Sequence, residues 1–216
     1  MRLVLASGNR HKLEEFRAIL DPHEVVAMPE GIDLPPEGTE SFAANARVKA
    51  LALAEAMTSA AAPPADGLLF LADDSGLEVE ALGWAPGVTS ARYAGVNGPG
   101  ADTANYRRLL RELAGSAGPL ARRARFVCSL VAVTPAMREY AATGFWWGAI
   151  AEAPRGEGGF GYDPVFVPEG SDLTVAQWPQ ERKDQASHRA LAGRALLERL
   201  RQEGRFDGPD GAARHR

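Results

Sequence analysis

The chain has 216 residues and a formal net charge of −4, since 24 lysines and arginines stand against 28 aspartates and glutamates. Hydrophobic residues make up 45% and charged residues 24%, which excludes a disordered chain and allows one large domain or two small lobes. The negative balance disfavours partners such as nucleic acid or an anionic membrane. Cys128 is the only cysteine, which excludes an intrachain disulfide. The first apolar run, residues 3–6, is too short for a signal peptide or a membrane span, so we expect a cytoplasmic protein.

The first half of the chain alternates predicted strands and helices. Apolar runs bounded by turn residues predict three short strands, at residues 3–6, 25–28 and 68–72. Apolar side chains at helical spacing predict three helices, at residues 11–20, at residues 42–59 and directly after residue 102. Thr39 or Ser41 is expected to cap the second helix, and Asp102 the third. Residues 61–67 are expected to form a surface connection.

The second half begins with two β-rich runs, residues 123–134 and 140–150, which predict long adjacent strands. A glycine-dense loop, residues 155–163, leads to a short apolar run at residues 165–167. Alternating strands and helices followed by paired long strands predict an α/β fold with a mixed sheet and helices around it. We expect residues 1–203 to form one domain.

The last predicted helix runs from about residue 187 to residue 200 and should turn Leu191, Ala195 and Leu196 inward. Beyond it, residues 204–216 have no hydrophobic periodicity and are rich in glycine, aspartate, arginine and alanine. This composition predicts a disordered tail.

Four segments place unusual polar residues beside predicted strand ends. The first is the turn Ser7-Gly8-Asn9-Arg10-His11-Lys12, which leads into the first helix. A glycine turn at a helix N-terminus presents backbone N–H groups and the positive end of the helix dipole, both suited to a phosphate, and Lys12 adds a mobile charge. The spacing is not that of a Walker motif, so a capped turn without a ligand stays open for this segment alone.

The second segment is the acidic pair Asp73-Asp74, followed by Ser75 and Gly76 at the end of an apolar strand. Two buried carboxylates need a positive partner, and hydrated Mg²⁺ suits them because it binds one or two carboxylates together with phosphate oxygens. Successive side chains of an extended chain point in opposite directions, so only one of the two acids need face a site. A turn acid paired with a helix cap is the alternative.

The third segment is the glycine-rich run of residues 158–164, in which glycines lie on both sides of Phe160. Glycines let the backbone approach a ligand closely and leave the aromatic ring free to stack on a flat base. The alternative is a glycine hairpin whose aromatic residues fill the core.

The fourth segment runs from Lys183 to Arg189. Ser187 lies near the start of the predicted last helix, and His188 and Arg189 lie in its first turn, where positive charges oppose the helix dipole. A ligand that is anionic or accepts hydrogen bonds would explain this arrangement, and so would a solvated run of charges.

In combination, these segments resemble the inosine triphosphate pyrophosphatase family, whose bacterial members are called noncanonical purine NTP pyrophosphatases or XTP/dITP diphosphatases. The resemblance covers about residues 3–200. The shared motifs are Ser-Gly-Asn-x-x-Lys, Phe-x-x-Asn-Ala, Asp-Asp-Ser-Gly-Leu, Pro-Gly-Val-x-Ser-Ala-Arg-Tyr, Ala-Pro-Arg-Gly, Gly-Phe-Gly-Tyr-Asp-Pro and Ser-His-Arg, beginning at residues 7, 42, 73, 86, 153, 159 and 187.

This resemblance implies an elongated α/β fold with two lobes, a central mixed β-sheet flanked by helices and a nucleotide cleft between the lobes. It implies a homodimer that uses Mg²⁺ to cleave ITP, dITP and XTP to the monophosphate and pyrophosphate, which keeps deaminated purines out of nucleic acids.

The resemblance also assigns roles by position. Asp74 matches the catalytic carboxylate, and Glu37 and Asp74 match the metal contacts. The positions that match substrate-binding residues are Ser7, Gly8, Asn9, Arg10, His11, Lys12, Ser75, Phe160, Gly161, Tyr162, Asp163, Lys183, His188 and Arg189. The first six lie in the phosphate-binding segment, and those from Phe160 onward lie around the base and sugar.

Two aspects of the chemistry follow. Asp74, directly or through the metal, is expected to accept a proton from the water that attacks the α-phosphorus. Donors such as Arg189 suit the 6-keto oxygen of hypoxanthine or xanthine, whereas adenine presents an amino donor there. Polar matching of this kind discriminates on the order of 10⁴-fold.

Two positions depart from the family pattern. Ala44 stands where a glutamate often precedes the Asn-Ala pair, and Gln177 stands where a glutamate often follows Thr-x-Ala. The first change removes a secondary metal or water contact and the second affects a loop salt bridge, so neither touches Asp74.

Three other functions compete with this interpretation. A Maf-type pyrophosphatase for pyrimidine or modified nucleotides would share the strand and glycine turn, but the segments around Phe160 and His188-Arg189 favour purines. A catalytically silent nucleotide sensor would have little reason to keep Asp73 and Asp74 beside a triphosphate. A nucleic-acid-binding module is disfavoured by the net charge of −4.

Overall fold

The computed structural model describes residues 1–58, 67–116 and 121–204. Six strands form one sheet in the order β2-β1-β3-β4-β5-β6. The strands are β1 (Arg2–Leu5), β2 (Glu24–Ala27), β3 (Leu68–Val79), β4 (Arg123–Val133), β5 (Glu139–Ile150) and β6 (Phe166–Pro168). The helices are α1 (Arg10–Ile19), α2 (Phe42–Thr58), α3 (Ala101–Glu112), α4 (Gln180–Ala186) and α5 (His188–Gln202).

Strand pairing confirms the predicted mixed sheet. Strand β1 pairs in parallel with both β2 and β3, whereas β5 and β6 pair antiparallel. Parallel neighbours need a crossover connection, and α1 supplies it between β1 and β2. The apolar side chains of β1 and β3 are almost all buried, as parallel strands covered on both faces require.

The chain folds as two compact units. The first contains residues 1–74, 129–144 and the described residues from 189 onward, and the second contains residues 75–128 and 145–188. In the first unit, small residues of α2 let the helix lie close to β1, β3 and β4. The buried cluster there contains Val4, Ala6, Ala46, Ala50, Leu53, Ala54, Phe70, Ala72, Val131 and Val133.

The second unit has an aromatic core. The ring of Phe126 lies 4.6 Å from that of Phe166 in an edge-to-face arrangement, and Trp146 lies 5.4 Å from Phe166. Edge-to-face and offset pairs are the arrangements that aromatic rings prefer. The prediction that the glycine loop precedes a short strand is confirmed by β6.

Three details of the sequence prediction are wrong. Strand β3 does not end before Asp73 but continues to Val79, so the acidic pair lies within a strand. Gly100, with φ of 90°, is the N-cap of α3 in place of Asp102. The inward side of α5 is formed by Ala192, Leu196, Leu197 and Leu200, among others, while Ala195 is exposed.

Other boundaries are confirmed or lie outside the described residues. Ser41 caps α2, because its Oγ accepts the N–H of Ala44 at 3.1 Å. Most of the predicted surface connection, residues 61–66, and the tail from residue 205 onward lie outside the described part of the chain. Among the described residues, no helix combines the length and apolar character that a membrane crossing requires.

Candidate functional site

The turn before α1 is built by hydrogen bonds of its own side chains. Asn9 caps the helix, since its Oδ1 accepts the N–H groups of His11 at 2.9 Å and Lys12 at 3.3 Å. Ser7 Oγ in turn accepts the N–H of Asn9 at 3.1 Å. Three of the N–H groups that the sequence offered to a phosphate are therefore used within the turn. A depression of about 300 Å³ lies beside it, lined in part by residues 7–10 and 27–32.

The side chains of Arg10 and His11 are exposed, and Arg10 pairs with Glu14 at 2.9 Å. Lys12 points elsewhere: its Nζ lies 2.9 Å from Oδ2 and 3.1 Å from Oδ1 of Asp73. The structure thus joins Lys12 of this segment to the acidic pair.

Asp73 is the centre of a buried ionic network in the first unit. Besides Lys12, it faces Arg189, whose Nε lies 3.7 Å from Oδ2. Arg189 Nη1 also donates to Glu15 Oε2 at 2.9 Å, and both of these side chains are about 95% buried. Burial by itself would raise the pKa of Asp73, but the charges of Lys12 and Arg189 hold it at about 2. Asp73 is therefore ionised and neutralised by its partners, which makes it a poor proton acceptor.

This ionic network includes Arg189, for which the sequence analysis predicts contact with a base. The structure engages its guanidinium group with Glu15 and Asp73. A contact between Arg189 and a base stays a prediction.

Asp74 has different surroundings from its neighbour, as the alternation of side chains along a strand predicts. Asn45 of α2 donates from Nδ2 to Asp74 Oδ2 at 2.8 Å. Burial raises the pKa of Asp74, the hydrogen bond from Asn45 opposes this, and the negative charge of Glu37 raises it further. Two adjacent carboxyl groups with pKa values shifted in opposite directions can take separate roles, one as a fixed charge and one as a base.

Glu37 lies in the exposed loop before α2 and pairs with Lys49. The Lys49 Nζ atom is 2.8 Å from Glu37 Oε1, and Lys49 is 7% exposed. Burial would lower the pKa of Lys49, but the charges of Asp73, Glu37 and Asp74 raise it overall. Lys49 is therefore a positive charge held among three carboxylates of the first unit.

The carboxylates around Lys49 do not form a complete metal site by themselves. Within residues 1–58, 67–116 and 121–204, no group of three or more His, Cys, Asp or Glu side chains is arranged to hold a metal ion. Glu37 and Asp74 are near enough for the charge of one to raise the pKa of the other. Two oxygen ligands without histidine or cysteine fit Mg²⁺, which completes its coordination with water and phosphate oxygens.

In the second unit, Asp163 organises the glycine-rich loop. Its Oδ2 accepts the N–H of Phe160 at 2.9 Å and a hydrogen bond from Lys183 Nζ at 2.6 Å. The Lys183 ammonium group also lies 4.4 Å from the centroid of the Phe160 ring. Gly159 has φ of 72°, and a Cβ atom there would lie 2.1 Å from Asp163 Oδ2. The structure thus brings Phe160, Asp163 and Lys183 together, and their contact with a ligand stays a prediction.

The remaining predicted residues of the second unit have structural partners. Tyr162 is buried, and its hydroxyl group donates to Ser90 O at 2.9 Å. The buried ring of His188 stacks on Phe126 with centroids 4.7 Å apart and planes 11° apart. Ser75 is half-buried in β3, directly after Asp74. A contact of these three residues with a ligand stays a prediction.

Sequence reasoning gave no role to Asn45, Lys49 or Glu15. Asn45 and Lys49 lie one turn apart on the buried side of α2, together with Ala46, Ala50 and Leu53. Polar side chains at helical spacing within an apolar stripe were the signal that could have found them. For Glu15 no such signal exists, because its neighbour Phe16 alone marks the buried side of α1.

Replacing Asn45 by alanine is expected to raise the pKa of Asp74 further, since it removes the hydrogen bond that stabilises the ionised carboxylate. The measurement is a titration of the Asp74 carboxyl carbon by nuclear magnetic resonance. Ser41→Ala is the matched control, because Ser41 caps the same helix without contacting Asp74. An unchanged or lowered pKa in Asn45→Ala would contradict the assigned hydrogen bond.

These features together are those of a mixed α/β protein with clustered carboxylates and lysines, the chemistry suited to phosphorylated ligands. Comparison with known proteins identifies the family. The Ham1 family is matched over residues 3–199, and the chain belongs to it.

Relatives of known name agree over nearly the whole chain. A "dITP/XTP pyrophosphatase" from Ralstonia nicotianae is 46% identical over 203 residues, covering 93% of this chain and 96% of that protein. One from Methylacidiphilum infernorum is 42% identical over 197 residues, covering 90% of this chain and 92% of that protein. The family predicted from the motifs is therefore confirmed.

Solved structures support the fold. The Ham1 protein of Staphylococcus aureus superposes with a TM-score of 0.78 at 38% identity, covering 94% of this chain and all of that one. A "Nucleoside-triphosphatase / dITP/XTP pyrophosphatase" from Mycobacterium abscessus gives a TM-score of 0.67 at 42% identity, covering 93% and 99% of the two chains. The predicted α/β fold with a mixed, helix-flanked sheet is thus confirmed.

Proposed function

We propose that this protein is a Mg²⁺-dependent nucleoside triphosphate pyrophosphohydrolase that converts ITP, dITP and XTP to the monophosphate and pyrophosphate. Such an activity clears noncanonical purine nucleotides from the cytoplasmic pool. The names of the relatives support the substrate class. The observation that carries the proposal is the acidic pair in two different surroundings: Asp73 is ion-paired with Lys12 and Arg189, whereas Asp74 accepts a hydrogen bond from Asn45.

The reaction is a hydrolysis of the α–β phosphoanhydride bond. Water attacks the α-phosphorus, the bond between the α-phosphorus and its bridging oxygen breaks, and pyrophosphate leaves. Asp74 accepts the proton of the attacking water, which a carboxylate with a raised pKa does more readily than an ordinary one. Asn45 keeps the accepting carboxylate oriented through its 2.8 Å hydrogen bond.

Two lysines of the first unit, Lys12 and Lys49, would neutralise part of the charge of the triphosphate. Lys12 and Lys49 are held at carboxylates, so their ammonium groups are positioned before substrate arrives. Glu37 and Asp74 would hold Mg²⁺, which supplies charge neutralisation of the phosphate oxygens. Phosphoryl transfer depends mainly on such positioning and charge stabilisation.

Base recognition is assigned in this proposal to Phe160, His188 and Arg189. The Phe160 ring, half-buried and held beside Lys183, offers a stacking surface. His188 and Arg189 are assigned to the polar edge of the purine, where a 6-keto group accepts hydrogen bonds. We also propose that the protein acts as a homodimer.

The function is tested by measuring pyrophosphate release from ITP, dITP, XTP, GTP, ATP and a pyrimidine triphosphate, with and without Mg²⁺. Mg²⁺-dependent release confined largely to ITP, dITP and XTP supports the proposal. Release mainly from the pyrimidine would assign a Maf-type activity, and tight binding of ITP without release would indicate a nucleotide sensor.

Glu37→Gln is expected to raise the Mg²⁺ concentration for half-maximal activity by roughly 10-fold, because a neutral amide is a weaker ligand for a hard cation. Calorimetric titration of Mg²⁺ into the protein with a non-hydrolysable ITP analogue gives a second readout that needs no turnover. Glu40→Gln, at an exposed acid of the same loop, is the control. Equal Mg²⁺ dependence in the two variants would remove Glu37 from the metal site.

A further inference from the structure

An acidic side chain of α3 has a role that its sequence position did not indicate. Asp102 lies in the first turn of the helix, but its Oδ2 accepts the N–H of Gly161 at 2.8 Å. Gly161 directly follows Phe160, and all three residues belong to the second unit. We propose that Asp102 is a positioning residue that fixes Phe160 for stacking on the purine base. This inference rests on the proposed function.

The hydrogen bonds on the two sides of Phe160 explain how the ring is fixed. The N–H of Phe160 donates to Asp163, and the N–H of Gly161 donates to Asp102. These N–H groups belong to the two peptide planes that flank the Phe160 Cα atom. Since each plane is held by a carboxylate, both backbone dihedral angles of Phe160 are constrained, and with them the direction of its side chain.

The flanking glycines make these anchors necessary. Gly159 and Gly161 have φ values of 72° and 63°, in the left-handed region that glycine enters without steric cost. The same freedom gives an unanchored glycine many alternative conformations, so ordering it has a large entropic cost. A charge-assisted hydrogen bond from α3 offsets part of that cost.

Helix α3 is a firm support for Asp102. One turn further along, Asn105 is 2% exposed, donates to Ala91 O at 3.0 Å and accepts the N–H of Ala94 at 2.7 Å. Arg108 adds a hydrogen bond to Tyr93 O. These contacts hold the helix without help from Asp102, which is itself exposed. Its substitution should therefore release the loop and leave the helix in place.

The test compares Asp102→Ala with Asp102→Asn, which keeps an acceptor oxygen but loses the charge at the helix N-terminus. For Asp102→Ala we expect KM for ITP to rise roughly 10-fold, as loss of a charge-assisted hydrogen bond predicts, with kcat within twofold. Asp102→Asn should restore KM to within twofold to threefold. Thr103→Ala, in the same helical turn, is the control for effects on the helix and should match the unsubstituted protein.

Product inhibition distinguishes a positioning role from general damage to the structure, because only the first would affect IMP and pyrophosphate differently. IMP carries the base, so its inhibition constant should rise in Asp102→Ala in parallel with KM. Pyrophosphate has no base, so its inhibition constant should stay unchanged. An unchanged KM in Asp102→Ala, or equal weakening of IMP and pyrophosphate, would overturn the inference.

Amide hydrogen exchange separates this inference from the proposed function. The amide of Gly161 should exchange at least several-fold faster in Asp102→Ala than in Asp102→Asn, whether or not the protein hydrolyses ITP. Equal exchange in the two variants overturns the role of Asp102. Absence of pyrophosphate release from the unsubstituted protein, by contrast, overturns the proposed function.

Discussion

Asp74→Asn is expected to lower kcat for pyrophosphate release about 10³-fold, the middle of the range for loss of a general base. Asparagine fills the same volume and still presents an oxygen to Asn45, which now donates to Asp74 at 2.8 Å. Binding of ITP should therefore persist while turnover is lost. A variant within tenfold of the unsubstituted protein would remove Asp74 from the proton transfer.

Although Asp74→Asn should lower kcat, it should preserve or raise the stability of the folded protein. Because the pKa of Asp74 is raised in the folded state, the folded protein binds a proton there more readily than the unfolded chain does. The ionised carboxylate therefore opposes folding once the pH exceeds the unfolded value near 3.8, and fully so above the folded pKa. Thermal denaturation at neutral pH should show Asp74→Asn to be as stable as the unsubstituted protein or more so.

The raised pKa of Asp74 can be measured directly in the Mg²⁺-free protein. There the carboxyl carbon of Asp74 should titrate at a higher pH than that of an ordinary aspartate, because burial and the charge of Glu37 disfavour the ionised form. A titration midpoint at or below pH 3.8 would contradict these surroundings.

Asp73→Asn is expected to destabilise the fold by about 3–5 kcal/mol, the usual result of leaving buried positive charges without their counter-ion. Lys12 would lose its partner at 2.9 Å, and Arg189 would keep Glu15 but lose the charge of Asp73. Urea denaturation of the purified protein measures this loss. Glu14→Gln is the matched control, since it breaks the exposed pair with Arg10, also at 2.9 Å, and should change stability by less than about 1 kcal/mol.

The destabilisation caused by Asp73→Asn should become smaller as the pH falls. The pKa of Asp73 falls from 3.8 to about 2 on folding, so the contribution of its charge is fully present above pH 3.8 and disappears as the pH falls through about 2. The shift corresponds to roughly 2 kcal/mol. The stability gap between the unsubstituted protein and Asp73→Asn should narrow across this window, and a gap that stays constant would contradict the ionic network.

Most of the sheet was predictable because apolar runs bounded by turns identify buried strands. The exception is β3, whose acidic pair suggested that the strand ends at Asp73. The strand continues because Lys12, Arg189 and Asn45 satisfy the two carboxylates, and these partners lie far from β3 in the sequence. Local composition carries no information about such partners.

The candidate site was predictable as a set of residues but not as a set of pairs. Motif resemblance selected Lys12, Glu37 and Asp74. The spacing along α2 could have pointed to Asn45 and Lys49, but which carboxylate each of them contacts follows only from the packing of the helix. Asp102 was assigned to its own helix because an acidic residue near a helix start is a common cap. In the structure Gly100 is the N-cap residue, and the Asp102 carboxylate accepts a hydrogen bond from Gly161, 59 positions away.

The two glycines beside Phe160 differ in how well they tolerate substitution. At Gly159 any side chain would displace the Asp163 carboxylate, and Lys183 would then be buried without its counter-ion. At Gly161 an added Cβ atom meets nothing within 4 Å, so asparagine, which tolerates the left-handed conformation, could replace the glycine. Substitution should therefore be tolerated at the residue after Phe160 but not at the residue before it.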